Sequence, residues 1–305
     1  MDLHHGSYKT AGFSTVDETA VVDTFYIERV ISQNGFGCPP HSSRQTNLSD
    51  GSSELGKRAA SKEFHSCGVW PLASYINHSC NSNARRAFIG DMMIVRATRD
   101  LAPDTEISFW YRFPVAEGNA VRQKQLEHWA FRCDCAMCRD DQATGSDVLS
   151  RSERQRAEAL RYLRATPRPN LPKIEEILAN MELGYAQPAS LVPRLHSWEL
   201  YLGLAQNYML REQRSKAIDS ALKSLASLGY VIQGGSLPRT RSTPMLVRQW
   251  GLLQDATVEC WMLLASAYEL VAPDRTEYAV RYAKLSYRIC VGEDETFDGT
   301  YRNFG

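Results

Sequence analysis

Three cysteines fall within six residues in Phe131-Arg132-Cys133-Asp134-Cys135-Ala136-Met137-Cys138. Thiolates so close together can wrap one soft ion. Zinc takes four such donors in a tetrahedron, with Zn–S bonds of about 2.3 Å. A fourth ligand must come from elsewhere in the chain; the competing reading is three free or oxidised thiols. The other five of the eight cysteines are Cys38, Cys67, Cys80, Cys260 and Cys290. Met1 to Thr15 lacks the charged-then-apolar layout of a secretory signal. A reducing compartment is the default, and clustered cysteines there point to metal more than to disulfides.

A second marked stretch is Tyr75-Ile76-Asn77-His78-Ser79-Cys80-Asn81-Ser82-Asn83, with Trp70-Pro71-Leu72 just before it. Downstream come an apolar segment from Phe88 to Val95 and then Glu106-Ile107-Ser108-Phe109-Trp110-Tyr111. Taken alone, Asn77 and His78 could be turn residues, Tyr111 a core tyrosine after a strand, and Phe131 an ordinary core ring.

The elements that must position these groups follow from pattern. Thr15-Val16-Asp17-Glu18 fits a capping box, and Val22, Tyr26 and Val30 recur every four residues, which predicts a core-facing amphipathic helix ending near Asn34-Gly35. Gly35-Phe36-Gly37 follows that helix and predicts a turn; it is too short for a cofactor loop. Residues 39–66 are Ser-, Gly- and charge-rich, as in a long surface insertion. Ile94, Val95 and Ile107 predict two or three short strands separated by an Ala102-Pro103-Asp104 turn, and a short helix is predicted between Gly118 and Ala130. After Cys138 a polar stretch from Asp140 to Ser150 marks a boundary, and Arg151 to Arg164 reads as a solvated helix broken by Pro167, Pro169 and Pro172. From Ile174 to Ile289 the pattern is helical except for a loop at Gln233 to Pro244. Leu204 to Tyr208 followed by Ala217, Ala221 and Leu225 is echoed by Leu264 to Tyr268 followed by Ala279, Ala283 and Tyr287. Small residues four apart allow close helix approach, which predicts either tetratricopeptide-like hairpins or a generic bundle.

Over residues 15–138 the order and spacing of these pieces resemble the C-terminal half of a SET domain followed by a post-SET zinc site, of the SMYD-like or fungal SET-plus-helical-repeat type. The resemblance implies an α+β fold: a partial SET β-fold with its zinc site, then an α-helical, tetratricopeptide-like domain. The implied division is 1–142, with the insertion at 39–66, and 143–305. The implied activity is S-adenosyl-L-methionine-dependent methylation of protein lysines, an activity that needs alignment and a dry site more than acid–base groups. It implies that Cys80 joins Cys133, Cys135 and Cys138 around a structural zinc ion, Cys67 being the nearest rival by sequence. It also implies that Asn77 and His78 hold the cofactor, that Phe131 stacks on the adenine, and that Tyr111 orients methyl donor and amine, serving both catalysis and cofactor binding. SET domains open with strands carrying a Gly-x-Gly cofactor segment ahead of the inserted helix. Here that helix is expected about fifteen residues in, so these strands are expected to be missing, as in a fragment, a truncated gene product or a degenerate protein. No cysteine cluster precedes Cys80, so a MYND insert is not expected. The alternative is a non-catalytic zinc-stapled scaffold whose helical half binds protein partners.

Bulk properties narrow the partners. Lys+Arg and Asp+Glu balance at 35 each, and no apolar run approaches the roughly 18 residues of a membrane helix. No direct nucleic-acid or membrane contact is expected. A protein substrate presenting lysine, a possible protein partner on the helical half, and a nuclear or cytoplasmic location are.

Overall fold

The computed structural model describes residues 15–16, 19–20, 24–38, 66–114, 116, 118–165, 169–237 and 244–301. Strands come first and helices follow. β1 (Thr15–Val16) and β2 (Thr19–Ala20) form a small antiparallel pair. The helix expected from Thr15 starts instead at Thr24, as α1 (Thr24–Asn34). Thr15 and Val16 pair instead with Ala20 and Thr19, and β-branched side chains favour a strand over a helix there. Nor does α1 face a core: none of its residues is buried, and Phe25, Ile27 and Ile31 are exposed.

The expected turn at Gly35-Phe36-Gly37 is a strand, β3 (Gly35–Cys38), paired antiparallel with β4 (Ser66–Val69). A Cβ on Gly35 would lie 2.7 Å from the Ile31 carbonyl oxygen, so glycine is required where helix turns into strand. The expected insertion lies outside the described residues except for Ser66, which β4 absorbs.

A short helix, α2 (Pro71–Ser74), leads into β5 (Asn77–His78), which runs parallel to β8 (Ser108–Phe109) with Asn77 opposite Ser108 and His78 opposite Phe109. Between them β6 (Ala84–Ile89) and β7 (Met92–Ala97) form an antiparallel hairpin. The turn expected at Ala102-Pro103-Asp104 is present, closed by Thr105 donating to Ala102. Asn83 clips these strands together: its side chain donates to the Glu106 carbonyl and accepts from Ser108, each at 2.8 Å.

The expected helix before the cysteines is α3 (Asn119–Leu126), continued by a 3₁₀ turn at Glu127–Trp129. The polar stretch after Cys138 is mostly helical: α4 (Ala136–Ala143) and α5 (Ser146–Leu163) are separated only by Thr144 and Gly145. Then come α6 (Leu171–Glu182), α7 (Leu195–Leu210), α8 (Arg214–Ser227), α9 (Thr257–Val271), α10 (Thr276–Val291) and the short α11 (Phe297–Tyr301). Helix α7 packs on α8, α8 on α9, and α9 on α10. The small residues singled out in the sequence, Ala217, Ala221, Ala279 and Ala283, are fully buried. One correction applies within this half. The loop between α8 and α9 is flanked by strands β9 (Val231–Gln233) and β10 (Leu246–Gln249), which pair with each other.

The two halves share one buried cluster, which runs from Cys80, Trp110 and Cys138 through Trp198 to Trp261 and Tyr287. Gly292, in the left-handed region at φ 103°, lets the end of α10 settle on β6: a Cβ there would sit 3.3 Å from Ala87 and Ile89. Among the described residues no helix is long and apolar enough to cross a membrane.

Candidate functional site

Two clusters meet at the end of the β5–β8 pair. The first is sulfur. The Sγ atoms of Cys80, Cys133, Cys135 and Cys138 lie within 4.8 Å of one another, and Cys80 and Cys138 are 3.7 Å apart. Four sulfurs bound at about 2.3 Å to one tetrahedral ion would stand roughly 3.8 Å apart, so the set fits zinc in donor type, number and spacing. Cys67, the rival by sequence, is exposed on β4 and outside this group.

Left to themselves the four thiols compete for protons. Hydrogen bonds with Cys133, Cys135 and Cys138, reinforced by burial, push the Cys80 thiol far up. Those from Cys135, Cys138 and Cys80 hold the Cys133 sulfur far down, as a thiolate. A divalent cation removes that conflict.

The surrounding groups complete the site. Arg122, almost wholly buried, places Nη2 3.9 Å from Cys138 Sγ and 2.6 Å from Asp141 Oδ2. Burial works against its charge, but Asp141 and the Cys138 sulfur hold the charge on. Gln123 donates to the Cys133 carbonyl at 2.7 Å and accepts from the Cys133 N–H at 3.0 Å. Trp110 Nε1 donates to the Cys80 carbonyl at 3.1 Å. The sequence reading missed Arg122 and Gln123, whose only signal was their place on the helix that delivers the cysteines.

The second cluster is aromatic and surrounds Tyr111. Its ring lies 5.5 Å from His78, 6.0 Å from Phe109, 5.3 Å from Trp129 and 6.0 Å from Phe131. Its hydroxyl donates to the Ile76 carbonyl at 2.9 Å. Burial pushes the Tyr111 phenol up, while the positive charge of Arg86 pulls the other way. His78 stands between the clusters: Nδ1 accepts the Tyr111 N–H at 3.0 Å, and Nε2 is 3.4 Å from Cys80 Sγ. Phe131 packs on the His78 ring at 5.9 Å. The Asn77 side chain donates to Glu106 Oε1 at 2.5 Å.

His78, Tyr111, Phe131 and the four cysteines, all named from the sequence, therefore form one contiguous site, with Asn77 beside it on β5. Trp129 and Arg86 belong to it as well. Trp129 was read only as part of a helix, and Arg86 was not singled out.

Comparison with known proteins gives the same outline. Residues 15–112 match the SET domain family. A "Methyltransferase" of Gibberella zeae is 37% identical over 299 residues, which is 97% of this chain and 41% of that protein. "Histone-lysine N-methyltransferase ASHR1" of Arabidopsis thaliana is 43% identical over 72 residues, covering 23% of this chain and 15% of that protein. Human "Histone-lysine N-methyltransferase SMYD3" is 29% identical over 169 residues, covering 54% and 35%. The chain thus spans less than half the length of each of these relatives. The chain is thus similar to SET-domain proteins over residues 15–112 and to a methyltransferase along nearly its whole length.

Proposed function

We propose that the chain forms the methyl-transfer and helical part of a protein-lysine N-methyltransferase. The observation that carries this reading is the half-buried Tyr111 hydroxyl among His78, Trp129 and Phe131, beside a four-thiol metal set, within a SET domain.

S-adenosyl-L-methionine, when bound, would supply an electrophilic methyl group. Asn77 and the backbone at His78 would hold it, with Phe131 offering an adenine a ring face. Tyr111 Oη accepts through its lone pairs while donating to Ile76, so it orients polarised C–H and N–H groups without ionising. The surrounding rings exclude water, which strengthens such contacts. Zinc on Cys80, Cys133, Cys135 and Cys138 would tie the segment after Trp129 to β5, in the manner of a post-SET site. The buried alanines and consecutive pairing of α7 to α10 support a tetratricopeptide-like half. We place the division at 1–142 and 143–305, with a protein substrate presenting lysine, a protein partner on the helical half, and a nuclear or cytoplasmic location.

A second reading, a zinc-stapled scaffold without catalysis, draws on Asn77 and Tyr111 both having protein partners already. The test is calorimetry with the cofactor, plus transfer of labelled methyl to extract proteins by the zinc-loaded chain. Heat of binding and labelled lysine are expected, with label lost in Tyr111→Phe at unchanged fold. A folded, zinc-loaded sample giving neither heat nor label rejects the methyltransferase reading in favour of the scaffold.

A further inference from the structure

Arg86 is a cation where an aromatic site would ordinarily be apolar. It stands on β6, its guanidinium carbon 5.3 Å from the centre of the Phe36 ring and 4.9 Å from that of Phe109. One Nη donates to the Trp110 carbonyl, at the residue just before Tyr111. No carboxylate pairs with it among the described residues. The titratable groups bearing on it are Arg85 from its own strand, itself turned to Asp255, and the neutral Tyr111 phenol from the end of β8. On β3 the nearest titratable group, Cys38, is buried and donates to the Gly90 carbonyl. Burial and the neighbouring Arg85 lower the Arg86 pKa to about 10, as expected of a partly buried charge with no carboxylate beside it.

We propose that Arg86 is a fixed cation beside the acceptor seat that admits the target lysine as a neutral amine and rejects the ammonium. This rests on the methyltransferase reading above. Cation–π contacts with Phe36 and Phe109 occupy the ring faces that would otherwise attract a second cation. Between Arg86 and Tyr111 an incoming ammonium therefore meets repulsion, while a neutral amine does not.

The chemistry balances as follows. The lysine ammonium first loses a proton to bulk water. The nitrogen lone pair then forms the N–C bond as the C–S pair returns to sulfur, leaving a thioether and a methylammonium, which sheds its own proton on release. Deprotonation removes a full charge from nitrogen, and only part of it returns in the transition state. The Arg86 field therefore helps below the amine pKa and hinders slightly above it.

The test compares wild type with Arg86→Met and Arg86→Lys in the full zinc-loaded chain. The profile of kcat against pH reports groups in the bound complex. Its acid limb should move up by about one pH unit in Arg86→Met, a loss of roughly tenfold near neutral pH. The high-pH plateau should equal or exceed wild type, so the two profiles cross. Arg86→Lys should restore the limb. Uniform scaling at every pH would show a packing role and overturn the proposal.

A second readout needs no activity. With ¹³Cζ-labelled tyrosine, and Tyr111→Phe to assign the signal, Tyr111 should titrate at higher pH in Arg86→Met. An unmoved titration overturns the proposal whatever the activity. A moved titration in a chain that methylates nothing supports the Arg86 field and removes the methyltransferase reading instead.

Discussion

His78 joins Tyr111 to Cys80 through one imidazole ring, with Nδ1 accepting the Tyr111 N–H and Nε2 facing the Cys80 sulfur. With Nδ1 accepting that N–H, it is the bare nitrogen, and Nε2 carries the proton and faces the Cys80 sulfur. His78→Phe keeps the ring volume and removes both bonds, leaving the Tyr111 N–H without its acceptor. The expected cost is about 1–3 kcal/mol of unfolding free energy in urea. Zinc affinity, read by chelator competition, should fall by roughly 10- to 100-fold, as for loss of a group that orients a ligand. Unchanged values on both measurements would show that the ring is only a spacer.

Cys135→Ser removes one of four soft donors and leaves three. Elemental analysis should find close to one zinc per wild-type chain and far less in the variant. Structural zinc contributes folding free energy directly, so Cys133 to Ala143 should become protease-sensitive. Retained zinc at wild-type stoichiometry would mean that the thiols do not form a metal site.

What the sequence made legible was chemical, and what it hid was long-range. The spacing of Cys133, Cys135 and Cys138 points to a metal, and the SET resemblance singled out Cys80, whose sulfur the structure brings within 4.8 Å of theirs. Tyr111 and His78 were named by their place in the same pattern, and the structure sets them side by side. By contrast, Gly35-Phe36-Gly37 carries a turn signature because its strand partner, Cys67 to Val69, lies some thirty residues away. A local pattern cannot show pairing that distant. The capping box at Thr15 was a true local preference overruled by strand pairing between neighbours. Arg86 was invisible for another reason: a basic residue in a strand is usually solvated. Only the approach of Phe36 and Phe109 from two other strands shows that it is not.

Arg85, next along β6, faces the other way and docks the helical half. It donates to the Leu253 carbonyl at 2.9 Å and to Asp255 at 2.5 Å, and lies 4.7 Å from the centre of the Trp110 ring. Its side chain is 13% exposed and that of Asp255 is 64%. The two partners should therefore not cost the same. Arg85→Met strands a carbonyl and should cost about 1–3 kcal/mol. Asp255→Asn changes only the exposed carboxylate and keeps an oxygen for Arg85, so it should cost less than about 1 kcal/mol. Equal losses in urea unfolding would show that the salt bridge, rather than the carbonyl contact, holds the halves together.

His196, in the first turn of α7, is buried and its Nε2 has no hydrogen-bond partner among the described residues. Burial lowers its pKa, with Asp141 opposing and Arg156 assisting. A histidine in the unfolded chain titrates near 6.5. Below that pH the unfolded state binds a proton that the folded state resists, so the stability due to His196 is present above about pH 6.5 and is lost as pH falls. Urea midpoints measured at pH 7.5 and 5.5 should drop further for wild type than for His196→Gln, which cannot titrate. The cysteine thiolates also gain protons on acidification, but they do so equally in both proteins, so the difference between the two drops isolates the imidazole. Identical drops would mean that His196 is protonated in the fold after all, with Asp141 outweighing burial.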